Sequence, residues 1–137
     1  MPGSAIWLIC LASATLHGAE PTKKAPVAVS VNHSREMAFG LELFKKGVRS
    51  LLVEHCVECH GGGKIKGDLD LTPREGLLKG GTDGVVVVAG NSKASRLIKL
   101  IRHEEEPFMP NKKPPLAAQA IAQIAAWIDA GAPYDKP

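Results

Sequence analysis

The residues with the clearest potential for chemistry in this sequence of 137 residues are two cysteines and a histidine within five positions. They are Cys56, Cys59 and His60, in the segment C-V-E-C-H. Two thiols at this spacing on a helical turn can each add to one vinyl group of a porphyrin, and the adjacent imidazole can then bind the iron. The motif therefore predicts covalent attachment of one haem c, with His60 as the proximal iron ligand.

Two other chemistries use the same residue types. A C-x-x-C pair can be a redox disulfide, but that interpretation leaves His60 unexplained and requires a βαβ pattern that the sequence lacks. A zinc site needs two further Cys or His ligands in a second cluster, whereas His33, His55 and His103 are scattered singly. Haem attachment accounts for the motif best.

The N-terminus carries an apolar stretch from Ala5 to Leu16, and residues 1–19 contain no Lys, Arg, Asp or Glu. This pattern predicts a secretory signal peptide over residues 1–19, with a buried helix as the alternative. Cleavage would remove Cys10 and leave the two cysteines of the motif. Since haem c is attached outside the cytoplasm, we expect a periplasmic or otherwise extracytoplasmic protein.

The composition narrows the class of protein further. The formal net charge is +3, from 17 basic and 14 acidic residues, so nucleic-acid binding is not expected. No apolar run approaches the ~20 residues of a membrane span, so we expect no transmembrane segment after signal cleavage. Hydrophobic residues make up 45% of the chain and aromatic residues only 4%. Because large rings normally dominate core burial, we expect a porphyrin to supply the missing apolar bulk.

The rest of the chain predicts one all-α domain. Proline-containing residues 20–33 are expected to form a flexible leader, and residues 34–137 a small helical domain wrapped around one haem c. Ser34 is the predicted N-cap of a first helix that reaches Cys56. Apolar positions of this helix recur at helical spacing, and we place Met37 among them, in the core.

Three shorter helices are predicted after the motif. Thr72 begins a capping-box pattern for a helix that stops at Gly80. Ser92 is the predicted N-cap of the next helix, which ends before Pro107. The last helix is expected over residues 117–130, with its apolar stripe in the core. That stripe is Ile121, Ile124, Trp127 and Ile128.

A second axial ligand is expected from later in the chain. After signal cleavage the methionines are Met37 and Met109. Met109 lies between prolines in an irregular segment that can present a thioether from a stiff loop, so we assign it as the distal ligand. His103 and an open or water-filled position are the alternatives. His55 is expected to point away as a solvated or capping side chain.

Several segments, in this order, resemble the planctomycete-type cytochrome c domain. They are residues 44–61, 66–71, 80–81, 89–92, 97–98, 109–110 and 127–132. The resemblance extends over about residues 40–134 and implies a cytochrome c-like fold. It also implies that Cys56 and Cys59 attach the haem, that His60 is the proximal ligand and that Met109 is the distal ligand.

The expected function is single-electron transfer, because a haem with two protein ligands has no vacant position for a substrate. We therefore expect redox partner proteins and no small-molecule substrate. One alternative is a peroxidase-type enzyme with His103 or Arg102 at an open distal site, and another is a haem-bearing docking or redox-sensing module for a larger enzyme. Eight basic residues could steer an acidic partner face, neutralise haem propionates or form solvated surfaces. They are Lys45, Lys46, Arg49, Arg96, Lys99, Arg102, Lys112 and Lys113.

Overall fold

The computed structural model describes residues 31–135 and is predominantly helical, in agreement with the predicted all-α class. The predicted signal peptide and residues 20–30 of the predicted leader lie outside the described residues. Within residues 31–135 the helices are α1 (Val31–Leu43), α2 (Arg49–Leu52), α3 (Arg74–Lys79), α4 (Arg96–Arg102) and α5 (Ala118–Asp129). A small antiparallel hairpin, which the sequence did not predict, pairs β1 (His60–Gly61) with β2 (Lys64–Ile65).

The first helical run continues without a break from α1 to the haem motif. Two five-residue π-helical segments, Phe44–Val48 and Val53–Val57, flank α2. The wider turns of these segments shift the helical register, which is typical of π-helical insertions near functional sites. The prediction that Ser34 caps this run is wrong, because α1 already includes residues 31–33.

The N-terminal run packs against α5 through an apolar face. Phe44, Val48 and Leu52 recur every four residues and are buried. A methyl group on Gly40 would lie 2.8 Å from the Cβ of Ala130, so the absence of a side chain at Gly40 allows α1 to approach the end of α5.

The predicted stripe of α5 is confirmed. Ile121, Ile124, Trp127 and Ile128 are all buried. Trp127 has no exposed surface, and its indole N–H donates to the Pro133 carbonyl at 2.8 Å. The ring of Phe44 stacks on Trp127 with 5.8 Å between centroids. Trp127 therefore has the core role that the sequence predicted.

The predicted start of α3 is wrong, although the helix and its stop are confirmed. Pro73 is the N-cap residue of α3, and no side chain makes a capping hydrogen bond there. Asp70 instead accepts a hydrogen bond from the Thr72 N–H at 2.9 Å. The helix ends at Gly80, whose φ of 77° favours a residue without a side chain.

The predicted start of α4 is also wrong. Ser92 does not cap the helix, because its N–H and hydroxyl both donate to the carboxylate of Asp129 in α5, at 2.7 and 2.9 Å. The helix begins at Arg96, four residues later, and ends at Arg102, before Pro107. No helix within residues 31–135 is long and apolar enough to span a bilayer.

Candidate haem site

One mostly apolar cavity of about 450 Å³ is lined by the residues that the sequence predicted to bind haem. Cys56, Cys59, His60 and Met109 all line it, although Met109 is far from the motif in sequence. The apolar walls come from α4 and from the loops on either side of α3. Their apolar lining residues include Leu69, Leu71, Val86, Leu97, Leu100 and Ile101.

The two cysteines are free, half-buried thiols on one turn of chain. The Cys59 N–H donates to the Cys56 carbonyl at 3.1 Å, which keeps both residues in a single turn. Burial raises the pKa of the Cys56 thiol to about 11. Redox-active C-x-x-C pairs have a lowered thiol pKa, so this environment does not support the disulfide alternative.

The hairpin after the motif orients His60. Its Nδ1 lies 3.0 Å from the Lys66 carbonyl, to which an Nδ1–H donates. Backbone bonds from Lys66 N–H to the Cys59 carbonyl and from Leu71 N–H to the His60 carbonyl hold the surrounding chain, at 2.9 and 2.8 Å. An imidazole protonated at Nδ1 keeps Nε2 as the nitrogen available to a metal, which is the usual arrangement of a histidine ligand.

The segment that carries Met109 is tied to α4. The Met109 N–H donates to the Leu100 carbonyl at 3.1 Å, and its own carbonyl lies 3.1 Å from Nε2 of His103. The side chain of Met109 is half-buried and packs against the core. Leu100 and Met109 therefore meet at the same cavity wall.

His55 differs from its sequence-based placement, and the structure also places Arg96 and His103. His55, expected to point away, lines the cavity. Arg96, for which partner steering, propionate contact and a solvated surface were all open, also lines it and is three-quarters buried. Arg96 lies one helical turn before Leu100, and this spacing was the sequence signal for its position. His103, the alternative ligand, is absent from the described lining of this cavity.

Arg96 connects α4 to the segment before Met109. Its Nε donates to a Glu105 carboxylate oxygen at 2.5 Å, and a terminal nitrogen donates to the Glu106 carbonyl at 3.0 Å. The hydrogen bond from Arg96 lowers the pKa of Glu105. The acceptor carbonyls of Lys66, Leu100 and Glu106 are backbone groups, so no residue type marked them in the sequence.

The donor set of this cavity fits haem c. Two thiols one turn apart, a histidine with Nε2 available and a thioether are the groups that attach and ligate such a haem. Within residues 31–135, no three His, Cys, Asp or Glu side chains are grouped so that they could hold a metal ion, which gives the zinc alternative no support.

Residues 56–113 match the family model described as planctomycete cytochrome C. The matched segment contains all four proposed haem-binding residues, from Cys56 to Met109. No curated protein and no solved structure matches the chain. The resemblance seen in the sequence is thus confirmed over this segment.

Proposed function

From the match of residues 56–113 to the family model described as planctomycete cytochrome C, we propose that this protein is an extracytoplasmic electron carrier with one haem c ligated by His60 and Met109. The family implies a covalently bound haem c and a role in electron transfer. The observation that carries the finer proposal is the convergence of Cys56, Cys59, His60 and Met109 on one apolar cavity.

Haem c supplies reversible one-electron chemistry of iron when it is bound. The chain contributes the attachment thiols, the two axial donors and a low-dielectric wall. The Lys66 carbonyl fixes the ring orientation of His60, and the apolar side chains of α4 exclude water from the Met109 side. A thioether ligand favours the ferrous state and raises the reduction potential, as a carrier of electrons at moderate potential requires.

The positions of Arg102 and His103 favour electron transfer over peroxidase chemistry. A peroxidase-type site would need one of them at an open distal position, yet neither is among the described lining residues of the cavity. Arg102 is exposed and lies 3.8 Å from Glu104. His103 points its Nε2 at the Met109 carbonyl.

Location and partners are part of the same proposal. The predicted signal peptide and the haem motif both require export, so we place the protein outside the cytoplasm. Lys66 and Lys113 are exposed residues that also line the cavity, and their charge would attract redox partners with an acidic docking face.

Optical spectra of the haem-loaded mature protein in both redox states test the ligand set. We expect a low-spin ferric spectrum with the weak sulfur-to-iron charge-transfer band. Met109→Ala should abolish the band and lower the potential by on the order of 0.1 V, within the ~0.8 V that axial ligands span. Met37→Ala is the matched control, because Met37 packs beside Gly131, and should change neither. A high-spin ferric wild-type protein, or an unchanged potential in Met109→Ala, would refute the proposal.

A further inference from the structure

His103 has a role at the cavity that differs from iron ligation. It ends α4 in the left-handed conformation, with φ 60° and ψ 33°, and its N–H donates to the Leu100 carbonyl at 3.2 Å. Residues other than glycine adopt this conformation infrequently, although histidine is among those enriched in it. The turn reverses the direction of the chain, so that Met109 lies beside Leu100.

The side chain of His103 contacts the segment that holds the proposed distal ligand in two ways. Its Nε2 lies 3.1 Å from the Met109 carbonyl. Its ring stacks on Phe108, with 4.9 Å between centroids and 15° between the planes. Phe108 is 44% exposed, so this stacking adds little to the apolar core of the domain.

The backbone of Met109 is consequently held to α4 at both of its polar groups. The N–H is bound by the Leu100 carbonyl and the C=O by the His103 side chain. The first bond involves backbone alone, whereas the second depends on a side chain. Removing the imidazole would free one of the two restraints and leave the cavity lining intact.

We propose that His103 is a positioning residue, which keeps the Met109 thioether in the cavity by holding the Met109 carbonyl and the Phe108 ring. This inference rests on the proposed His60 and Met109 ligation. It predicts that loss of His103 shifts the equilibrium toward a displaced Met109 without loss of the covalent haem.

Titration of the ferric haem-loaded protein with imidazole at one fixed pH tests the inference, because imidazole binds only where Met109 has left. Loss of the sulfur-to-iron band reports the binding. His103→Ala should tighten apparent imidazole binding about tenfold, the equilibrium change expected for loss of one hydrogen bond and one ring contact. Arg102→Ala, a change at the neighbouring exposed residue, is the control and should bind imidazole as the wild type does.

The outcomes separate this inference from the proposed function. If the wild-type protein lacks the sulfur-to-iron band, both fail. Two outcomes with the band present overturn the positioning role alone. One is that His103→Ala binds imidazole within twofold of the wild type. The other is that Arg102→Ala binds imidazole as tightly as His103→Ala does. A wild-type protein without the band whose His103→Ala variant turns high-spin would identify His103 as the iron ligand.

A second variant covers the case in which His103→Ala does not fold. Phe108→Ala removes an exposed ring and leaves the His103 donor in place, so the fold should persist. It should tighten imidazole binding about threefold, because part of the restraint is the ring contact. Unchanged binding in this variant would contradict the proposal.

Discussion

The two sides of the candidate haem site are built in different ways. The proximal segment, residues 56–66, is held by short-range bonds among Cys56, Cys59, His60 and Lys66. The distal segment, residues 103–109, is held to α4.

The loop that leads into helix α4 is held to α5 by long-range contacts. The carboxylate of Asp129 accepts both hydrogen bonds of Ser92, and the Gly90 N–H donates to the Ile128 carbonyl at 2.8 Å. The proposed attachment residues are thus held by local bonds, whereas the position of Met109 depends on how α4 and α5 pack. A disturbance of the distal side should therefore leave the covalent attachment intact.

The largest expected effect comes from removing the cofactor altogether. In the double variant Cys56→Ala and Cys59→Ala, prepared without haem, both sides of the site would border an empty apolar cavity. We expect the chain to be largely unfolded, because the porphyrin supplies apolar bulk that the few aromatic side chains do not. Circular dichroism and the dispersion of amide NMR signals measure this. Native-like dispersion would show that the two segments assemble without the haem.

A substitution on the proximal side should reduce stability less than removal of the haem does. A methyl group on Gly81 would lie 2.2 Å from the Gly67 carbonyl oxygen, within the turn Lys66–Asp68 that supplies the acceptor for His60. Because a backbone atom cannot rotate away, we expect Gly81→Ala to destabilise the haem-loaded protein by about 1–3 kcal/mol, as overpacking does. Urea unfolding measures the change.

Gly47→Ala is the matched control for that substitution. Its methyl group would meet the flexible end of Gln123 at 3.3 Å, and alanine favours a helix more than glycine does. We expect no loss of stability there. Equal stability of the two variants would mean that the proximal turn does not depend on its contact with Gly81.

The smallest expected effect concerns the ion pair on the distal side. The hydrogen bond from Arg96 lowers the pKa of Glu105 in the folded protein, so this carboxylate stabilises the fold above its unfolded pKa. The contribution is lost as the pH falls through the lowered, folded value. Glu105→Gln should therefore have a slightly lower Tm than the wild type at pH 7, and the difference should shrink below about pH 4.

Glu104→Gln tests whether that effect belongs to the ion pair with Arg96. Glu104 lies 3.8 Å from Arg102 on the exposed surface, where ion pairs contribute little. Its substitution should leave Tm unchanged across the same pH range. A Tm difference for Glu105→Gln that stays constant with pH would contradict the role assigned to its charge.

Helical periodicity was sufficient to predict which segments form helices, but it did not predict the residues at which those helices begin. The buried stripe of α5 and the stop of α3 at Gly80 agree with the structure, because apolar spacing and glycine preference are local properties. The predicted caps at Thr72 and Ser92 were wrong. Pro73, not Thr72, directly precedes α3, and the hydroxyl of Ser92 binds Asp129, a partner that is distant in sequence.

In the candidate site too, local spacing was predictable from the sequence and contacts between distant segments were not. The order C-x-x-C-H predicted three members from spacing, the position of Met109 between prolines predicted the fourth, and all four line one cavity. The contribution of His55 to the cavity was not predicted, and that of Arg96 was one of three open alternatives, because burial in a cavity depends on elements that meet from several parts of the chain.

The sequence by itself determined the donor set of the candidate haem site, since two thiols and an imidazole at fixed spacing lie on one turn whatever the rest of the chain does. It also determined that the domain is helical, through the period of its apolar residues. Only the tertiary structure decided that Met109 lines the same cavity as the motif and that His103 contacts its carbonyl. These features depend on the packing of α4 against α5 and on backbone hydrogen bonds, which no single residue type specifies.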